Sequence, residues 1–273
     1  MKTSNTQRLV ESAAMLGIAA VLSMIKLIDL PYGGSVTIAS MLPIVIIAYR
    51  YGTRWGLLTG FAFGIIEQLM GLNTLSWVTT WQSILAVILL DYIFAFMATG
   101  LGGVFKKGFS QQNALVLGTL LVCVVRYACH VISGATVWAG LSIPSQAALL
   151  YSFGYNATYM VPETIVMAVL AYELGGVLDF GSANITRIII RKEEHNAPVL
   201  KWVSAAALAA ALIYDVWAVF SHLQNAESGD FDITGLAVVN WTAVAVVTVL
   251  AVVVVLILHF FSGKKNGKEL PQG

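Results

Sequence analysis

The sequence predicts an all-α fold, a polytopic membrane helical bundle, and three observations carry that prediction. The chain has 273 residues, of which 58% are hydrophobic and only 11% charged, and its mean hydropathy is +0.82. A soluble domain with so few charges would be hard to keep dispersed. The apolar runs are long and continuous, without the strict alternation of a membrane β-barrel, and several meet the roughly 20 residues that a spanning helix needs.

Eight spans follow in order. The first, near 9–28, comes after a polar, basic start and lacks a small-residue cleavage site. With many spans behind it, it reads as a retained helix rather than a signal peptide. Its Ala13 and Gly17 form a small-xxx-small pair, which lets a second helix approach closely. Taken alone, that spacing favours intramolecular packing slightly over a partner's docking face. The second and third spans, near 38–50 and 55–71, are short and closely spaced. The fourth, 80–104, carries Asp91 mid-span, and the fifth, 113–133, carries Arg126 and His130. The sixth, 147–178, is long enough for a tilt or a re-entrant start, with Pro162 as an irregularity. These six make one membrane domain over 1–180.

Residues 181–199 are polar and charged, contain Pro198, and read as a cytoplasmic linker. Beyond it lies an additional helix pair within 200–262, with spans near 200–222 and 236–261, and then a short tail, 263–273. The run A-V-A-V-V-T-V-L-A-V-V-V-V-L-I-L in the last span suits lipid contact or helix packing. No internal repeat stands out, so inverted-repeat transporter architectures gain no support.

Charge placement sets the orientation. With a cytoplasmic N-terminus, 13 of the 15 Lys and Arg residues fall in cytoplasmic segments, the exceptions being Lys26 and Arg126. Both termini are then cytoplasmic. The connection H-L-Q-N-A-E-S-G-D-F-D between the last two spans has acids and no Lys or Arg, as an outer loop can. A net charge of +1, with bases in short groups beside the spans, gives no reason to expect nucleic acid; topology and lipid headgroups explain them. Cys123 and Cys129 are six apart on one helix, on different faces, and read as buried small hydrophobes rather than a disulfide.

Polar residues inside apolar spans are costly, so they mark an internal cavity. Asp91, His130, Trp138, Tyr151 and Asn156 are such a set. Arg126 and His130, four apart, share a helix face. The plain structural role for Arg126 is to neutralise Asp91, Glu163 or Glu67. Tyr151 and Tyr155 gather with Trp138 on the outer side of that region, where aromatic belts also form. The belt or packing reading suffices for Trp55, Trp202, Trp217 and Trp241. Trp138 differs because it sits in the connection G-A-T-V-W-A-G-L-S-I-P-S, which can fold back over a cavity. One acid and several aromatic faces suit a flat organic cation, since a quaternary cation needs a fixed anion and π faces. Tyr151 and Asn156 would add directional hydrogen bonds.

Enzyme motifs are missing. The sequence has no G-x-x-x-x-G-K-[ST], no G-x-S-x-G and no H-E-x-x-H, so no catalytic residues are expected and ATP would have to be handled elsewhere. With four His, one in the linker and two at helix ends, no metal site is expected, and no cofactor.

At these residues the chain resembles the thiamine-specific substrate-binding (S) components of energy-coupling factor transporters. The resemblance covers about residues 8–180. It rests on L-V-E in the first span, M-L-P-I-V-I-I-A-Y-R-Y-G followed by G-L-L-T-G, and D-Y-I-F-A-F…G-L-G-G-V-F. Most specific are R-Y-A-C-H-V-I-S-G-A-T-V-W and Y-S-F-G-Y-N-A-T. It implies a six-helix domain with the vitamin site near the outer face. His130 and Trp138 would flank the thiazolium ring, Tyr151 and Asn156 would contact the rest of the ligand, and Asp91 with Tyr92 would face the positive charge. Trp81, ten residues earlier, would match a further aromatic. It implies partners too: a transmembrane coupling subunit and two cytoplasmic ATPases, with the Ala13/Gly17 surface as docking face.

Two departures stand out. The family's acid is typically Glu, and Asp91 is one methylene shorter. The first outer loop, D-L-P-Y-G-G-S-V-T, has no Trp where the family uses one as a lid, and Tyr32 is the nearest aromatic. The expectation is a thiamine-binding subunit of an ATP-driven importer in the cell membrane. A thiamine precursor, another vitamin or a proton-coupled secondary carrier stands as the alternative.

Overall fold

A computed structural model describes residues 4–30, 34–141, 143–188, 197–222 and 233–263. Tyr32, the outer connection at 223–232, linker residues 189–196 and the tail from 264 onward lie outside the described residues, as does the side chain of Trp202. The chain forms two compact units, Met1–Ile188 and Ile189–Gly273.

Among the described residues the first unit holds six main helices. Helix α1, Asn5–Met24, starts where Ser4 accepts a hydrogen bond from the Gln7 amide, a side-chain cap for an otherwise orphaned donor. The predicted first span continued to 28, but the chain leaves the helix earlier. Strand β1, Lys26–Asp29, pairs antiparallel with β2, Ser35–Thr37, in a small hairpin. Helix α2, Leu42–Tyr51, follows with Pro43 in its first turn. Gly52, at φ 91°, then reverses the chain into α3, Thr53–Met70, a conformation that glycine adopts without a Cβ clash.

The second predicted span, 38–50, is therefore corrected. Helix α2 has ten residues, about 15 Å of rise against a hydrocarbon core of roughly 30 Å. Leu42 to Arg50 are all buried, and the helix packs on α1, α3 and their successors. A helix apolar all round belongs in a core, and here it is the centre of the unit.

Helix α4, Trp81–Lys106, changes its winding along its length. It is α-helical over Trp81–Val87, π-helical over Ile88–Phe94, and 3-10 over Ala98–Lys106 after a short α turn. Its close approach to α3 depends on glycine. Gly56, Gly60 and Gly64 recur every fourth residue along α3, and a methyl at any of them would strike Ala48 and Gly100, Thr99, or the Tyr92 carbonyl. This is small-residue packing as membrane helices use it. Helices α5, Gln111–Thr136, and α6, Ala148–Val177, complete the unit; Pro162 is accommodated inside α6.

Among the described residues α1, α4, α5 and α6 are long and apolar enough to cross a membrane. The second unit contains α7, Ala197–Phe220, and α8, Trp241–Gly263, whose apolar stretches run over Ala206–Val219 and Trp241–Val255. Within it the Thr248 hydroxyl donates to Asp215 at 2.5 Å. Trp217 and Trp241 are exposed, whereas Trp55 is half-buried and donates to Ser12. Cys123 and Cys129 are both free thiols.

The start of the stretch read as linker is tied down instead. Residues Leu178–Asp179 (β3) pair with Thr186–Arg187 (β4). Between them, the carbonyls of Phe180, Ser182 and Ala183 accept from the Arg50 guanidinium at 2.9–3.2 Å. Arg50 also grips Glu11 through two bonds of 2.8 and 3.0 Å. A buried guanidinium needs its donors satisfied, and the composition of 181–188 gave no sign of that demand.

Candidate functional site

The first unit holds a partly open cavity of ≈ 740 Å³ at the hairpin end, within the range of small-molecule sites. Its walls come from α1, the β1–β2 hairpin and α3 to α6. The hairpin contributes Lys26, Asp29, Gly34 and Thr37. Gly34, at φ 92°, lies so close to the Tyr159 ring that a Cβ would stand 2.9 Å from it.

Asp91 is the organising residue. It sits in the π-helical stretch of α4, a winding often found at functional positions. Its Oδ1 lies 3.0 Å from His130 Nδ1, and its Oδ2 accepts from Ser133 Oγ at 2.7 Å and from Trp138 Nε1 at 3.1 Å. A carboxylate only accepts, so Nδ1 carries the hydrogen in this contact. Nε2 is buried without a partner.

Trp138 reaches Asp91 because the chain folds back after α5. Amides 137 and 138 both donate to the Ser133 carbonyl, and the Ile143 amide closes onto the Trp138 carbonyl at 3.1 Å. The indole is 8% exposed. It meets Trp77 edge to face at 6.1 Å between centroids. Trp77 belongs to a 3-10 turn, Leu72–Trp77, and also lines the cavity.

On α6, Ser152, Asn156, Tyr159 and Glu163 form a stripe at helical spacing. Asn156 Nδ2 donates to Ser152 O at 2.9 Å and to the His130 carbonyl at 3.3 Å, and Tyr159 OH donates to Asn156 Oδ1 at 2.5 Å. Tyr159 in turn stacks edgewise on His130 and on Tyr155. Farther along, Arg126 Nη1 donates to Glu163 Oε2 at 2.8 Å, and Thr37 Oγ1 donates to Glu163 Oε1 at 2.7 Å. Of the acids the sequence offered Arg126, Glu163 is its ion-pair partner. The guanidinium also lies over the Phe96 ring, 4.7 Å from its centroid.

Asp91, Tyr92, His130, Trp138 and Asn156 thus share one cavity. Tyr151 and Trp81 do not line it. Residues 151 and 156 stand about 140° apart around a helix of 3.6 residues per turn, so a continuous α6 turns only one of them inward. Trp81 starts α4 and is 70% exposed. Sequence reasoning missed Trp77, Ser133 and Tyr159. Ser133 and Tyr159 lie three residues beyond His130 and Asn156, a helical repeat that could have found them. Trp77, in a short connection, carried no periodic signal. Among the described residues no group of His, Cys, Asp and Glu is placed to hold a metal.

A helical membrane bundle with a cavity that gathers Asp91, His130 and several aromatic rings has the form of a small-molecule binding protein. The family described as Thiamine transporter protein matches residues 9–178, and the chain belongs to that family. It is 37% identical over 177 residues to Thiamine transporter ThiT of Bacillus subtilis (strain 168), covering 60% of this chain and 87% of that one. In fold it is similar to the solved structure of ThiT from Listeria monocytogenes, with a TM-score of 0.51 and 23% identity, over 62% of this chain and 92% of the other. The family match ends at 178, before α7 and α8.

Proposed function

We propose that the chain is the substrate-binding membrane subunit of a thiamine importer. Thiamine joins a permanently cationic thiazolium to an aminopyrimidine, and the cavity offers a matching anion and rings. Asp91 is the counter-charge, Trp138 and His130 flank the thiazolium, and Tyr92 and Asn156 orient the remainder. Trp77 and Tyr155 line the cavity, whereas Trp81 and Tyr151 do not. The observation that carries this reading is the Asp91 carboxylate, held by His130, Ser133 and Trp138 within a cavity that also presents Trp77, Tyr155 and Tyr159. Cation–π contacts contribute about 0.5–1 kcal/mol at exposed sites and about 2 kcal/mol or more where the cation is desolvated.

The sequence has no Walker motif, so energy comes from partners, a transmembrane coupling subunit and two cytoplasmic ATPases. Ala13 and Gly17 are exposed on α1, and nothing lies within 4 Å of a methyl at Gly17. This flat apolar face is where the coupling subunit docks. The subunit resides in the cell membrane with both termini cytoplasmic, as the Lys and Arg placement requires.

Titration of the protein in nanodiscs by intrinsic tryptophan fluorescence tests the reading. Thiamine quenches the signal saturably, and Trp138→Ala removes most of the response. Competition by the separate pyrimidine and thiazole moieties distinguishes thiamine from its precursors. Absence of saturable quenching by thiamine sinks the proposal.

A further inference from the structure

Arg126 on α5 and Glu163 on α6 form a buried ion pair, 8% and 2% exposed. Joining the two helices does not require it. They already pack so closely that a methyl at Gly134 would strike Ser152, and exchanging a buried ion pair for apolar side chains is often neutral or stabilising. Arg126 occupies Glu163 Oε2, which leaves Oε1 for the Thr37 hydroxyl, a donor at 2.7 Å.

Thr37 ends strand β2, so this bond reaches from α6 to the hairpin wall of the cavity. Its single hydrogen goes to Glu163, so in the 2.9 Å contact with Ser40 Oγ the hydrogen comes from Ser40. The turn between them holds Ala39 at φ 53°, a left-handed conformation that a Cβ disfavours and that persists only where the surroundings impose it. One helical turn earlier on α6, Tyr159 packs against Gly34, just before β2. Strand β2 accordingly lies largely buried on α6, whereas β1 is mostly exposed.

We propose that Arg126 and Glu163 are positioning residues: through Thr37 they fix the hairpin wall against α6 and so set how tightly the cavity holds its ligand. The ligand half of this rests on the thiamine reading, and the anchoring half does not. An apolar pair could tie α5 to α6, but it could not hold a hydroxyl from the hairpin. A carboxylate can, and hydrogen bonds to a charged acceptor are the stronger kind.

Two substitutions in the full chain in nanodiscs test this. Thr37→Val keeps the shape and removes the donor, whereas Thr37→Ser keeps the donor. Hydrogen–deuterium exchange over residues 34–41 is slow in the native chain, about tenfold faster in Thr37→Val, and close to native in Thr37→Ser. The thiamine Kd, read by tryptophan quenching, rises about tenfold in Thr37→Val, the scale of one hydrogen bond to a charged group. Thr37→Ser recovers most of that loss. A threonine kept only for its shape gives the reverse order, since valine fills its volume and serine does not. That reverse order, or equal exchange in the two variants, overturns the anchor. So does rapid exchange of 34–41 in the native chain, which needs no substitution. Faster exchange in Thr37→Val with an unchanged Kd overturns the link to ligand binding. A native chain that binds no thiamine strikes at the thiamine reading instead, and the exchange rates alone then decide the anchor.

Discussion

The two oxygens of Asp91 each have a defined job, and that makes the residue a sharp test. Oδ1 meets His130, and Oδ2 meets Ser133 and Trp138. In Asp91→Asn the amide nitrogen faces donors where an acceptor stood, and the counter-charge for the ligand is gone. Thiamine affinity falls by about 2 kcal/mol or more, roughly thirtyfold in Kd, measured by fluorescence titration, with the helical circular dichroism preserved. Much of this site was legible from residue type alone. A carboxylate, an imidazole and an indole in apolar surroundings have few reasons to be there, and Asp91, His130 and Trp138 do come together. Tyr151 was placed by its distance from Asn156 in a motif, and the helical turn between them sends it elsewhere. Trp77 was hidden because a lone Trp in a short connection looks like an interfacial anchor.

Among elements, the contact between α3 and α4 sets where Asp91 stands. Gly64 packs against the π-helical stretch, with a hypothetical methyl 2.9 Å from the Tyr92 carbonyl and 3.3 Å from Ile93 Cα. Gly64→Ala therefore pushes back the backbone that carries Asp91 and Tyr92. Its thiamine Kd rises, whereas Gly17→Ala, with open space around it, leaves Kd unchanged; equal effects would refute this positioning role. The sequence displayed G-L-L-T-G, yet the stripe from Gly56 through Gly64 has meaning only once its partner is known. The long helices were legible because their apolar runs outlast the bilayer, and their ends lie within a few residues of expectation. The hairpin of β1 and β2 was not, since seven strand residues between two helices leave no alternation long enough to read.

At the scale of the molecule, every residue lining the cavity lies between Ser23 and Glu163, inside the first compact unit. A chain ending after Ile188 keeps Arg50 bound to Glu11 and to the carbonyls of 180–183. It retains thiamine binding at the full-length Kd, and loss of binding in a folded truncation would assign α7 and α8 a part in the site. The buried α2 bears on how such a chain is made. An insertion machinery that releases helices singly into lipid finds in residues 42–51 nothing long enough to leave there. The segment must be sheltered beside α3 until α4 and α5 emerge and close around it. Folding of this unit is thus expected to be late and collective, because nascent chains stopped before the fifth helix lack part of the surface that covers residues 42–51.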